Sequence, residues 1–229
     1  MNGTVVRPAA PRAARTRGRL CTEAAPGVWV VLADGCPPRG HLTDEDLADA
    51  AALSPRRAAE RLAARRALRG LLAARFPEAQ DADVVYSRHG RPALAGRPDI
   101  GISVSHEGDA VAACAALDHA VGLDVQHPPP SVTDSLLRRC ARGRAEALRR
   151  LPERLRAREF AWLWTVQEAC VKAAGTGLAG RPWAIDVPLP ALRGTWGPHH
   201  WVTLRGRTTV PLSVAYTPLP DRTRVPEST

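Results

Sequence analysis

Two short segments hold residues whose types and spacing can do chemistry. In Gly122-Leu123-Asp124-Val125-Gln126 the side chains of a strand alternate, so Asp124 and Gln126 share one face and Leu123 and Val125 the other. A carboxylate in an otherwise apolar strand is costly unless it is paired or holds a cation. Asp124 therefore reads either as a metal ligand or as an acid on a solvent face. The second segment, Trp164 to Lys172 (WTVQEACVK), has helical character. Phe160, Trp164, Glu168 and Lys172 fall four residues apart and form one stripe. Glu168 and Lys172 are then either a surface ion pair or, because the stripe is aromatic above them, the charged edge of a cleft.

Lys172 stands out on composition as well. The chain has 32 basic residues, and Lys172 is the one lysine among them. An ammonium is compact and can shift its pKa, whereas a guanidinium is forked and permanently charged. Two more segments suit an anion. Ser105-His106 closes a strand at a turn, where a hydroxyl and an imidazole can hold a phosphate. His89-Gly90-Arg91-Pro92 is a tight turn stiffened by proline, with an arginine that can pair with a phosphate. Each also reads as an ordinary solvated turn.

The order of these pieces adds information. The tyrosine strand VVY (84–86), Gly90-Arg91-Pro92, ISVSHEGDAVAACA (102–115), VGLDVQ (121–126) and WTVQEACVKAAGTGL (164–178) follow one another in the chain. As a set they resemble the surfactin-type 4′-phosphopantetheinyl transferases, over about residues 54–178. The resemblance implies an α+β fold of two similar halves related by a pseudo-two-fold axis, with the active site in the cleft between them. It implies that Asp124, Gln126 and Glu168 hold Mg2+ and that Glu168 and Lys172 are catalytic. Gly90, Arg91, Pro92, Ser105 and His106 would lie along coenzyme A. The implied reaction moves the 4′-phosphopantetheine arm of coenzyme A to a serine of an acyl or peptidyl carrier protein and releases 3′,5′-adenosine bisphosphate. Two departures stand out: Gln126 where the family has Glu, and Gln167 where it has Lys, near the same site. They motivate an alternative, a weakened relative that binds carrier protein or coenzyme A without transfer.

The elements that must position these residues follow from periodicity. Strands are expected at 28–32, 84–86, 100–105, 110–117 and 121–125, and strand-like segments over 184–216. Helices are expected at 43–52, from Ser54-Pro55 to Pro77, at 135–147 and at 153–174, with Gly175 closing the last. The expected organisation is a disordered lead-in (1–26), an N-terminal half on the coenzyme A side (27–117), a C-terminal half with the metal and catalytic helix (118–217), and a tail (218–229).

Bulk properties narrow the partners. The net charge is +9 and the pI about 10.5, which favours an acidic partner: nucleic acid, anionic lipid, a polyphosphate cofactor or an acidic protein, such as the carrier protein that the resemblance implies. Arg138, Arg139, Arg142, Arg144, Arg149 and Arg150 could dock one. No helix-turn-helix pattern, zinc spacing or aromatic-basic platform supports nucleic-acid binding. No apolar run nears the ~18 residues of a membrane helix. Five widely spaced cysteines without a CxxC pair suit a reducing cytoplasm. A monomer would supply a complete cleft.

Overall fold

The computed structural model describes residues 18–219. The fold is α+β. Among the described residues, ten strands form two four-stranded antiparallel sheets and one small hairpin, with five α-helices around them.

The first sheet holds β1 (Arg19–Ala25), β2 (Val28–Asp34), β5 (Ile100–Glu107) and β6 (Ala110–Leu117), in the order β1-β2-β6-β5. The strand β1 corrects one expectation, since residues 19–25 belong to a paired strand and not to a disordered lead-in. Leu20 and Ala24 alternate with Cys21 and Glu23 and pack on the core, a period of two that the Ala/Arg/Pro bias of the segment obscures. The remaining lead-in, residues 1–17, lies outside the described residues, as does most of the expected tail.

Between β2 and β5 run α1 (Asp44–Ala51), α2 (Pro55–Arg75) and the hairpin of β3 (Val84–Tyr86) and β4 (Pro92–Leu94). Thr43 caps α1 in a reciprocal box. Its hydroxyl accepts the Asp46 N–H, and the Asp46 carboxylate accepts the Thr43 N–H, both at 3.2 Å. Asp46 also takes Nε and Nη2 of Arg69 at 2.8 and 3.1 Å, while Nη1 of Arg69 donates to the carbonyls of Gln80 and Ala82. A fully buried guanidinium thus has its charge and its donors answered, and it ties α1, α2 and the segment before β3 together. Leu68, Leu71 and Leu72 of α2 pack on Ile100, Ile102 and the odd-numbered residues of β6.

The second sheet holds β7 (His119–Val125), β8 (Arg193–Trp196), β9 (His199–Thr203) and β10 (Leu212–Pro218), in the order β7-β10-β9-β8. The expected helix at 135–147 is interrupted. It divides into α3 (Asp134–Cys140) and α4 (Ala145–Arg149), separated by a tight turn at Arg142–Arg144 whose central Gly143 is a poor helix former. The last helix, α5 (Glu153–Ala174), packs on β7, β9 and β10 through Val166, Ala169, Ala173, Trp201 and Ala215.

A third core lies between the sheets. Val28, Val30 and Leu32 and the even-numbered alanines of β6 meet Val121, Leu123, Val125, Leu212 and Val214. The layers are therefore α2, first sheet, second sheet, α5. Both faces of β6 and β7 are covered, which is why both read as nearly unbroken apolar runs. Each sheet also contains the same three-strand order, in which the last strand lies between an earlier strand and the one just before it (β2-β6-β5 and β7-β10-β9).

Candidate active site

The site begins with a close approach. A Cβ on Gly122 would stand 2.1 Å from the Ala169 carbonyl oxygen and 2.3 Å from the Ala173 nitrogen, so only glycine lets β7 lie directly against α5. Asp124 is two residues on and faces the same way. On the helix, Glu168 and Lys172 each precede one of those alanines. The lysine ammonium donates to Asp124 Oδ1 at 2.6 Å, to the Leu123 carbonyl at 3.1 Å and to Ser105 Oγ at 3.4 Å. The acid is 6% exposed. One side chain of α5 thereby answers a buried carboxylate 48 positions earlier in the chain.

Glu168 completes a charged trio. Its carboxyl is pushed up from the ordinary range first by burial and then by the nearby Asp124 charge, with Lys172 pulling the other way. The ammonium pairs with Asp124, and Glu168, half-buried one turn before Lys172 on α5, feels both charges.

Ser105 and His106, neighbours in sequence, part company in space. Ser105 is buried. Its hydroxyl donates to Asp124 Oδ1 at 2.9 Å and accepts the Val125 N–H at 3.3 Å. His106 is exposed and lines a cavity of about 430 Å³ together with Arg57, Arg61, Arg65 and Tyr86. Arg61 donates to the Tyr86 hydroxyl at 2.7 Å.

The turn at residues 89–92 reaches the same area. Ser87 closes it, accepting the Arg91 N–H at 3.1 Å through its hydroxyl and the Gly90 N–H at 2.9 Å through its carbonyl. Arg91 lies across the end of α5, its Cδ 3.2 Å from where a Gly175 Cβ would be. Gly90, Arg91, Pro92, Lys172 and Gly175 together line a second cavity of about 170 Å³. Tyr86, Pro92 and Val104 line both cavities, which therefore adjoin.

The two glutamines differ in placement. Gln126, the first residue past β7, is half-buried and donates weakly to the His127 carbonyl at 3.4 Å, which leaves its amide oxygen available to a ligand. Gln167 is not beside the acids, contrary to the sequence expectation. Successive helical residues point about 100° apart, and Gln167 turns into the core, where Nε2 donates to the carbonyls of Cys140 and Ile185 at 3.0 and 2.9 Å. It clamps the end of α3 and the segment before β8 onto α5.

Asp124 and Glu168 offer hard carboxylate oxygens, and Gln126 an amide oxygen, of the type that magnesium takes. A separate group, Asp34, Asp109 and His127, brings three potential ligand atoms within 4.8 Å of one another at the end of β2, the β5–β6 turn and the segment after β7. Nothing in the sequence pattern drew attention to it. The arginines of α2 were also missed, although Arg57, Arg61, Arg65 and Arg69 recur every four residues and so share a face.

An ammonium held against a buried acid thus lines one of two adjoining cavities, and arginines line both. Residues 120–204, from β7 through β9, match the family model of the 4′-phosphopantetheinyl transferase superfamily. That stretch contains Asp124, Gln126, Glu168 and Lys172, and the match supports the superfamily and phosphopantetheine transfer as its general activity. No curated protein matches the chain. No helix among the described residues is long and apolar enough to cross a membrane.

Proposed function

We propose that the chain transfers the 4′-phosphopantetheine arm of coenzyme A to a serine of an acidic acyl or peptidyl carrier protein, releasing 3′,5′-adenosine bisphosphate. The observation that carries this reading is Lys172, held against Asp124 and one helical turn after Glu168, lining the cavity of the Gly90-Arg91-Pro92 turn.

Coenzyme A would lie along the two adjoining cavities. Arg57 and Arg61 and His106 offer donors for its phosphates in the larger one, and Arg91 and Lys172 in the smaller. Asp124 and Glu168, with the amide oxygen of Gln126, would hold Mg2+. When bound, the ion would neutralise charge on the pyrophosphate. The carrier serine oxygen attacks the β-phosphorus, and the bond from that phosphorus to the bisphosphate oxygen breaks. Glu168, directly or through a metal-bound water, takes the serine proton. Lys172 stabilises charge on the transferring phosphoryl group. One chain supplies both walls of the cleft, so two related halves in a monomer suffice. The setting would be the cytoplasm, where carrier proteins and coenzyme A meet.

The carrier would approach over α3 and α4. Arg138, Arg139 and Arg142 are exposed there and form no ion pair among the described residues, whereas Arg144 pairs with Asp186, Arg149 with Asp134 and Arg150 with Glu146. The test is mass spectrometry of apo carriers from fatty-acid, polyketide and nonribosomal-peptide systems after incubation with protein, coenzyme A and Mg2+. One added phosphopantetheine on any of them is the expected result, and no addition on all of them overturns the proposal.

A further inference from the structure

We infer that Ser105 is a positioning residue that fixes the carboxylate of Asp124 and thereby selects which of its oxygens meets a cation. This rests on the magnesium role proposed for Asp124 and Glu168.

Strands β5 and β7 are edges of different sheets and share no backbone ladder among the described residues. They nevertheless run in contact. A Cβ on Gly101 would stand 2.0 Å from the His119 carbonyl oxygen. Gly101, Ser103 and Ser105 alternate along β5 and face β7. Ser103 Oγ accepts the Leu123 N–H at 3.1 Å, and Ser105 Oγ accepts the Val125 N–H at 3.3 Å. Two hydroxyls thus take the place of a ladder, answering edge N–H groups that would otherwise be buried without partners.

Only Ser105 goes further. A hydroxyl has one proton and two lone pairs. Val125 N–H and Lys172 Nζ both direct hydrogens at Ser105 Oγ, so the Ser105 proton is left for Asp124 Oδ1. Oδ1 then receives Ser105 at 2.9 Å and Lys172 at 2.6 Å. With Oδ1 occupied and the carboxylate plane fixed, Oδ2 is the oxygen presented to an incoming cation. Ser103 has the same chemistry on the same strand but no contact with an acid, which makes it an internal control.

The experiment measures Mn2+ binding by electron paramagnetic resonance and thermal unfolding for the full chain and for Ser105→Ala, Ser103→Ala and Ser105→Thr. Each alanine variant loses one buried bond to β7, so both should unfold at lower temperature. Ser105→Ala should also weaken Mn2+ binding roughly 10- to 100-fold, the usual effect of removing a partner behind a ligand. Ser103→Ala should bind as the unaltered protein does, and Ser105→Thr, which keeps the hydroxyl, should recover most of the affinity. Should Ser105→Ala not fold, Ser105→Cys carries the same expectation, because a thiol donates weakly. Equal Mn2+ affinity in the two alanine variants overturns the inference while leaving the magnesium site standing. Failure of the unaltered protein to bind Mn2+ removes the site itself.

Discussion

The ammonium of Lys172 lies 2.6 Å from Asp124 Oδ1 and 3.1 Å from the Leu123 carbonyl, so one side chain of α5 grips two consecutive residues of β7. The only lysine in the chain is therefore where three donors on a compact head converge on three acceptors, Ser105 Oγ being the third. A broad planar guanidinium cannot point three hydrogens that way from the same place. Lys172→Arg should fold and keep its charge yet lose carrier transfer by about 100-fold, the scale of a lost electrostatic group at a reacting centre. Steady-state rates against carrier and coenzyme A check this. Full activity in that variant would remove the role given to the ammonium.

Gly122 sets the distance between α5 and β7. Gly122→Ala drives a methyl group into the backbone of Ala169 and Ala173, neither of which can rotate away. The expected cost is about 1–3 kcal/mol, as for other insertions into a filled core, read as a lower midpoint in urea. Activity should fall further than stability explains, because Glu168 and Lys172 ride on the helix that is displaced.

Asp46 links stability to pH. Burial pushes its carboxyl up, but hydrogen bonds from Arg69 and the Thr43 N–H and the charges of Arg69 and Arg65 outweigh this, so it sits below the ordinary value. A carboxyl lowered on folding stabilises the native state fully above its unfolded value, and the contribution fades as pH falls through the folded one. Denaturation curves between pH 3 and pH 6, a window set roughly by ordinary carboxylate titration, should show stability dropping at the acid end. Asp46→Asn should flatten that drop and cost about 3–5 kcal/mol at neutral pH, since it leaves Arg69 buried without its charge partner.

On the proposed magnesium role, Gln126 brings an amide where a carboxylate would add charge. Gln126→Glu should lower the magnesium concentration needed for half-maximal transfer. A magnesium titration that does not move would place residue 126 away from the ion.

Much of this was legible in the residues. The run from Ala110 to Leu117 is bounded by turn residues on both sides and is the strand β6 to the residue. The span from Glu153 to Ala174 is α5, ended by Gly175. Spacing alone put Glu168 and Lys172 on one helical face. Other features depend on contacts that periodicity does not encode. The hydroxyl of Ser105 turns to Asp124 because two sheet edges happen to meet there, whereas its neighbour His106 opens to the cavity. The outward direction of Gln167 from the site is fixed by the carbonyls of Cys140 and Ile185, which come from distant segments. The arginine face of α2 was hidden by the abundance of arginine throughout the chain, and β1 by the composition of the residues before it.

The most direct test is a crystal structure with coenzyme A and Mn2+, with the metal located by its anomalous signal. The account predicts a peak between Asp124 and Glu168, with the pyrophosphate within reach of Lys172 and Arg91. A peak at Asp34, Asp109 and His127 alone, or coenzyme A bound away from Lys172, would contradict it.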